Sequence, residues 1–421
     1  MTKILIINPG VQPELQKGVT ILDTTGFNVK YATASSFGRE YGEKFFTGGG
    51  WISQRFGRIY KRRILEFSDE LVVRYGFPLE LASYFLFRFF GKHCRPIRNF
   101  YFYLKLFFYT IGWKPQVIIF QDSIPLAYRM SRTIRLSIKV LVVSTASPMY
   151  FESVFTLEKV NNKEWSRFFL SSGFSKHKQM KYLQDSNFAD YVVTPSDFVA
   201  RDLSNYIDNR KIRVIRLGHN LQSLGVDSTD LRNPRDSRIK GLRIIFVGQL
   251  SQRKGISYLL DGFFAARIPN DSVLTLVGTS VLGSSSYILK KYNSIQLSLK
   301  GHLSRSELGE LLAKHDLFIM PSLIEGFCLS AVEALGTGIP VAVTDVVLDD
   351  IVINNTNGYI IDKFSSTSIS QLLERLCDDK DGMVHVGRNG SELASKYTWN
   401  QYREEFVKFV FEISSSRSNK N

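Results

Sequence analysis

The chain has 421 residues, enough for two or three domains at about 150 residues each. It is 44% hydrophobic, 22% charged and 13% aromatic, which excludes a disordered or collagen-like polymer. The net charge of +15 sits in one part: residues 1–240 hold 36 Lys and Arg against 20 Asp and Glu, and residues 241–421 hold 18 against 19.

From the amino terminus, Met1-Thr2-Lys3 runs straight into Ile4-Leu5-Ile6-Ile7, an apolar stretch too short for a signal peptide. It predicts a first strand over Ile4–Asn8, with Gly10 and Gly18 following it. Residues 51–114 come next, with 12 Lys and Arg, 4 Asp and Glu and 19 aromatics. That mixture suits an interfacial segment on anionic lipid. It also suits an ordinary core with a solvated basic face, or stacking on single-stranded nucleic acid, the least favoured of the three. Further strands are predicted at Val117–Phe120, Val140–Val143 and Tyr191–Val193, and then at Arg243–Val247, Val273–Val277, Leu317–Met320 and Val341–Val343. Short apolar runs alternating with helical stretches mark parallel α/β sheets. One polar break, placed at 223–240, interrupts the series. The expected layout is therefore an α/β domain over 1–222, a linker over 223–240 and a second α/β domain over 241–395. A helix over 396–413, read as returning to the first domain, and a frayed tail over 414–421 complete it. Cys94, Cys328 and Cys377 are far apart and have no CxxC partner, so neither a disulfide framework nor a zinc site is expected. No run of about 18 uncharged apolar residues occurs. The expectation is a cytoplasmic chain that does not cross a membrane.

The second domain carries the motifs. Gly248-Gln249-Leu250-Ser251-Gln252-Arg253-Lys254-Gly255 follows one predicted strand and opens a helix predicted over Ile256–Phe264. Glycine permits a tight turn, and the first amides of a helix are unpaired and electropositive. Arg253 and Lys254 would add charge-assisted contacts to a diphosphate. A plain strand-to-helix turn with a solvated Arg-Lys pair explains the same residues. Downstream of Leu317–Met320 stand Glu325-Gly326-Phe327-Cys328-Leu329 and then Glu333, with a short helix predicted around Ser330–Leu335. The amides of Gly326 and Phe327 would form a second anion seat. Glu333, two turns beyond Glu325, is a suitable acceptor for the hydroxyls of a ribose. The plainer alternative is that both glutamates face solvent.

These residues, Gly248, Lys254 and Gly255 followed by Glu325-Gly326-Phe327 and Glu333, resemble the nucleotide-sugar domain of retaining glycosyltransferases of the GT-B fold, specifically glycosyltransferase family 4. Leu276-Val277-Gly278, Gly301-His302-Leu303 and Asn357-Gly358 match the family's spacing as well. The resemblance implies two Rossmann-like parallel-sheet domains facing each other across a cleft. It implies transfer of a sugar from a nucleoside-diphosphate sugar to a glycan or lipid-linked acceptor, with no cofactor and no metal ion. The sole Asp-x-Asp, Asp379-Lys380-Asp381, follows a helix-like stretch rather than a strand end, which is no place for a metal. Carried over by position, Arg253 and Lys254 would stabilise the leaving diphosphate and Glu325 would hold the migrating sugar. Glu333 would hold the ribose, with further donor contacts from Gly248, Gln249, His302, Gly326, Phe327, Cys328 and Leu329. Gln249 departs from the family's arginine, and Arg253 is the expected replacement. Gly10 and Gly18 would line the acceptor side. The histidine that the family often places after a middle strand of the first domain is missing, and Asp122 is the expected substitute, with a helix-capping role as its alternative. His219 reads equally as cleft-lining or hinge. The implied setting is the inner membrane face, reached through residues 51–114, with no nucleic acid as partner. The competing class is a non-catalytic scaffold or lipid-binding protein that kept the fold.

Overall fold

Strands built of Ile, Val, Leu and Phe without polar alternation must be covered on both faces, and such strands pair in parallel. The computed structural model describes residues 2–7, 22, 25–33, 72–74, 104, 106–125, 128, 136–169, 175–225 and 240–418. Among them, β1 (Lys3–Ile7), β2 (Asn28–Thr33), β3 (Val72–Arg74), β4 (Val117–Gln121), β5 (Ile138–Val142), β6 (Tyr191–Thr194) and β7 (Ile212–Val214) form one sheet. Its order is β3-β2-β1-β4-β5-β6-β7. A second sheet, in the order β10-β9-β8-β11-β12-β13, holds β8 (Arg243–Val247), β9 (Val273–Val277), β10 (Leu297–Lys300), β11 (Leu317–Met320), β12 (Val341–Val343) and β13 (Tyr359–Ile360). Every pairing is parallel, with registers such as Ile6↔Ile119 and Phe246↔Leu276.

In each sheet the order reverses beside its first strand, between β1 and β4 and between β8 and β11. Loops at the carboxyl ends of such a pair diverge and leave a crevice. Gly248–Gly255 leaves β8 and Pro321–Glu333 leaves β11, so both motifs of the second domain open at that crevice. They are also fastened to each other. Gly255 has φ +70°, and a Cβ on it would run into the Pro321 carbonyl, while Leu323 N donates to Arg253 O at 2.9 Å. Only glycine meets both demands without strain.

Five strands were not predicted: β2, β3, β7, β10 and β13. The sequence of β2, Asn-Val-Lys-Tyr-Ala-Thr, alternates with polar residues, yet Val29, Tyr31 and Ala32 are buried. β13 has two residues and β3 and β7 three each, too short to show a period.

Helix α1 (Pro148–Asn161) is capped by Ser147, whose hydroxyl accepts from Tyr150 N at 3.2 Å. It belongs to the first half of the sequence but reaches across to the second. Its fully buried Glu158 accepts from Gln252 Nε2 and from the Tyr258 hydroxyl, both at 2.6 Å. Tyr258 lies on α2 (Ile256–Ala265), which follows the Gly248–Gly255 loop. Arg201 pairs with Asp349 and Arg216 with Asp350, adding ionic links between the halves.

Helices α3 (Arg305–Ala313) and α4 (Leu329–Gly336) frame the crevice of the second sheet. The last helix, α5 (Trp399–Ser418), sets Tyr402, Phe406, Phe409, Val410 and Ile413 in one core cluster with Ile4, Val29, Tyr31 and Val140 of the first sheet. The chain end therefore packs on the first sheet. The expected frayed tail from residue 414 is corrected: the helix runs to Ser418. There Ser414 and Ser416 donate back to the carbonyls of Val410 and Glu412, at 2.7 and 2.8 Å. Residues 226–239 of the expected linker, Gly10, Gly18 and most of residues 51–114 lie outside the described residues. Among the described residues no helix is long and apolar enough to cross a membrane.

Candidate functional site

Arg253 and Lys254 sit in a single 3-10 turn, Gln252–Lys254, held between the Ser251 and Gly255 backbones. Lys254 Nζ lies directly on Glu325 Oε2, and Arg253 Nη1 stands 3.7 Å from Glu325 Oε1 while donating to the Ile324 carbonyl at 2.9 Å. The Ser322 hydroxyl adds a bond of 3.2 Å to Glu325 Oε2. Glu325 and Lys254 are both buried. Burial pushes the Glu325 carboxyl up, but the Lys254 and Arg253 charges overcome it and hold the group below the usual carboxylate range. Residues expected from two separate motifs thus form one cluster with two cations and one carboxylate. An entering dianion would find both cations held in place by a single counter-charge.

Gly326 and Phe327 form the turn before α4. Among the described residues their amides donate to no protein acceptor, while the Gly326 carbonyl accepts from Ser196 Oγ at 2.7 Å. Cys328 is buried, its Sγ 3.5 Å from Ser330 Oγ, and burial pushes the thiol up. Leu329 opens the helix and is half-buried. Gly248 and Gln249 occupy the turn leaving β8, where a Cβ on Gly278 would strike the Gly248 carbonyl. His302 is exposed on the loop after β10, and no hydrogen bond joins it to Glu325 or Glu333.

Glu333 does not face solvent. It lies on α4, is 8% exposed, and takes a two-pronged contact from Arg305. Nη2 donates to Oε1 at 2.6 Å and Nη1 to Oε2 at 3.0 Å. The sequence reading missed Arg305. The available signal was the capping box Ser304-x-x-Glu307, which starts α3 at this point, but nothing placed that helix start beside a glutamate 28 positions on.

On the first sheet, Asp122 follows β4 with φ 57°, a left-handed conformation that few side chains adopt. Its Oδ1 accepts from Ser144 N at 3.1 Å and Ser144 Oγ at 2.9 Å. Surrounding chain raises its carboxyl pKa, opposed by the Ser144 and Gln121 hydrogen bonds. Ser144 in turn lies against Gly326, where a Cβ would meet the Ser144 carbonyl. Asp122, Ser144 and the Glu325-Gly326 turn are therefore neighbours across the two sheets. His219 Nε2 meets the Ala394 carbonyl at 2.7 Å, and its backbone N donates to Tyr397 O at 2.9 Å. Burial pushes its imidazole below the ordinary value, partly offset by the Ala394 bond and the nearby Glu333 charge.

Comparison with known proteins bears on the same crevice. Residues 227–393 match the family model described as Glycosyl transferases group 1. The chain is 29% identical over 191 residues to the UDP-Gal:alpha-D-GlcNAc-diphosphoundecaprenol alpha-1,3-galactosyltransferase of Escherichia coli, covering 42% of this chain and 47% of that one. The chain spans about half the length of the curated relatives it matches. Among solved structures, sucrose-phosphate synthase from Thermosynechococcus elongatus superposes with a TM-score of 0.67 at 16% identity, over 99% of this chain and 100% of that one. The Anabaena protein Alr3699/HepE, in complex with UDP and glucose, gives 0.63 at 14% identity, over 98% and 100%. The fold is thus the two-domain, Rossmann-like GT-B fold, and within it residues 227–393 are similar to the glycosyl transferases group 1 family.

Proposed function

We propose that the protein is a retaining glycosyltransferase that uses no metal ion. It would move a sugar from a nucleoside-diphosphate sugar to a glycan or lipid-linked acceptor at the cytoplasmic face of a membrane. The observation that carries the reading is the meeting of Lys254, Arg253 and Glu325 at the switch point of the second sheet, directly before Gly326 and Phe327, whose amides donate to no acceptor among the described residues. The E. coli relative is named for a UDP-sugar donor and a diphosphoundecaprenol-linked acceptor, and the Anabaena structure holds UDP and glucose, which supports the same ligand classes here.

In this reading the diphosphate lies on Arg253, Lys254 and the two amides. Charge grows on the terminal phosphate oxygen as its bond to the anomeric carbon breaks, and fixed donors stabilise that charge without reorganising. The acceptor hydroxyl forms its new bond to the anomeric carbon on the face the diphosphate leaves. Its proton passes to the departing phosphate oxygen, so no enzyme nucleophile is needed. Glu325 binds the migrating sugar, and Glu333 the ribose. Asp122, beside Ser144 and Gly326, faces the acceptor side. The two cations take the role that a divalent ion has in metal-dependent transfer.

The test is release of nucleoside diphosphate from uridine-, guanosine- and adenosine-diphosphate sugars, with and without a chelator, and the anomeric configuration of the product by proton NMR. Release from one base class, unaffected by chelation and with the donor's configuration kept, supports the reading. Inversion overturns the retaining mechanism, and loss of activity on chelation overturns metal independence. Nucleotide binding without turnover on any donor and acceptor would favour the scaffold reading.

A further inference from the structure

The geometry points to Arg305 as a positioning residue that ties the ribose-binding carboxylate of Glu333 to the chain crossing between the two domains. The inference rests on the reading of Glu333 given above and adds to it a residue and a coupling that the motifs do not contain.

Arg305 has five N–H donors in a planar fork. One side of the fork holds both oxygens of Glu333, through Nη1 at 3.0 Å and Nη2 at 2.6 Å. The other side holds the hydroxyl of Ser223, with Nε and Nη2 each 3.2 Å from Oγ. Ser223 belongs to the short turn Gln222–Leu224, where the chain leaves the first domain. That turn is seated closely. A Cβ on Gly309, one helical turn from Arg305, would run into the Leu224 carbonyl, and one on Gly336, three residues from Glu333, would strike the Leu221 side chain. Two glycines at the contact let the crossing press on α3 and α4 together, which fixes where the Ser223 hydroxyl stands.

An exposed ion pair contributes little, because water solvates both partners. This pair differs on two counts. The Glu333 side chain is only 10% exposed, although Arg305 is 45% exposed, and the contact is two-pronged. A carboxylate offers about four lone-pair sites, and the fork takes one on each oxygen. The remaining pair stays available to two hydroxyls of a ribose. Arg305 therefore orients Glu333 without filling the seat. It also makes the seat depend on Ser223, a residue that touches no substrate in this reading.

The test is calorimetric titration of the full chain with UDP, GDP and ADP, continued with whichever binds wild type most tightly, for Arg305→Gln, Arg305→Lys, Ser223→Ala, Glu333→Gln and the Arg305→Gln/Ser223→Ala pair. Arg305→Gln should weaken binding about ten-fold and raise the donor KM in step, with kcat changed less than about two-fold. Arg305→Lys, which keeps the charge and loses the fork, should recover part of the loss. Ser223→Ala should weaken binding about two-fold alone and have no effect once Arg305 is replaced, because the two act through one contact. Wild-type affinity in Arg305→Gln alongside weak binding in Glu333→Gln would overturn the inference and leave the ribose role standing. Wild-type affinity in Glu333→Gln would overturn both. Should Arg305→Gln fold poorly, the Ser223→Ala and Arg305→Lys results decide: no effect of either one overturns the coupling.

Discussion

At the scale of single residues, Lys254, Arg253 and Glu325 share one cluster, so each replacement changes the charge felt by the other two. Lys254→Ala should lower transfer by about a hundred-fold or more, roughly 3 kcal/mol, the size of effect seen when one fixed donor at a developing anion is lost. Arg253→Ala should fall in the same range, since Gln249 supplies no charge at the position where arginine was expected. Initial rates with saturating acceptor check both; an Arg253→Ala enzyme with unchanged rate and donor affinity would remove Arg253 from the clamp. The glutamates should separate. Glu333→Gln should chiefly raise the donor KM, because ribose contacts are alike in ground and transition states. Glu325→Gln should chiefly lower kcat, because in the proposed reading its carboxylate binds the sugar that moves. Steady-state kinetics over donor concentration distinguishes them, and the reverse pattern would exchange the roles.

Among the elements, α1 and the loop after β8 meet through the buried Glu158, which accepts from Gln252 and Tyr258 and, among the described residues, has no cation hydrogen-bonded to it. Burial pushes its carboxyl above the usual value, opposed by those two hydrogen bonds. An acid whose folded pKa is raised contributes stability fully below its unfolded value, and that contribution is lost as pH rises through the raised folded value. The seating of α1 on the donor loop should therefore weaken from about pH 4.3 upward until Glu158 is fully ionised. Glu158→Gln carries no charge to bury, so thermal unfolding should show its midpoint gaining on wild type across that interval and levelling above it. A difference between the two that is constant with pH would show that Glu158 titrates alike in folded and unfolded chains. The strands flanking the second crevice were legible in the sequence because Ile244–Val247 of β8 and Leu317–Met320 of β11 are unbroken apolar runs, and the loops after β8 and β11 were legible through their glycines. What joins them was not. The contact of Arg305 with Glu333 and that of Glu158 with Gln252 span 28 and 94 positions, and no local pattern encodes a packing partner at such a distance. Asp122 was legible only as a polar residue after a strand; its left-handed backbone and its Ser144 partner came from the fold.

For the whole molecule, the charge division is what places the cleft in the proposed reading. Residues 1–240 carry 36 basic and 20 acidic side chains, a surplus of 16, against 18 and 19 in the remainder. In the proposed reading that surplus draws the first domain to an anionic leaflet, with about 1 kcal/mol from each well-placed Lys or Arg. Replacing Lys61, Arg62 and Arg63 with glutamate should then release the protein from anionic vesicles in flotation while donor hydrolysis in solution stays intact. Raising salt from 0.1 to 1 M, which shortens the screening length from about 10 to about 3 Å, should do the same to wild type. Equal recovery on neutral and anionic vesicles would point to a soluble acceptor. The central claim is that the crevice beside β8 and β11 binds a nucleoside diphosphate through Lys254 and Glu333, and thermal unfolding with UDP, GDP and ADP tests it most directly. At a hundred times its dissociation constant a bound nucleotide adds about 2.7 kcal/mol, so one of the three should raise the midpoint of wild type clearly. The same nucleotide should raise it far less in Lys254→Ala and Glu333→Gln. No shift with any of the three, or an equal shift in all three proteins, would contradict the account.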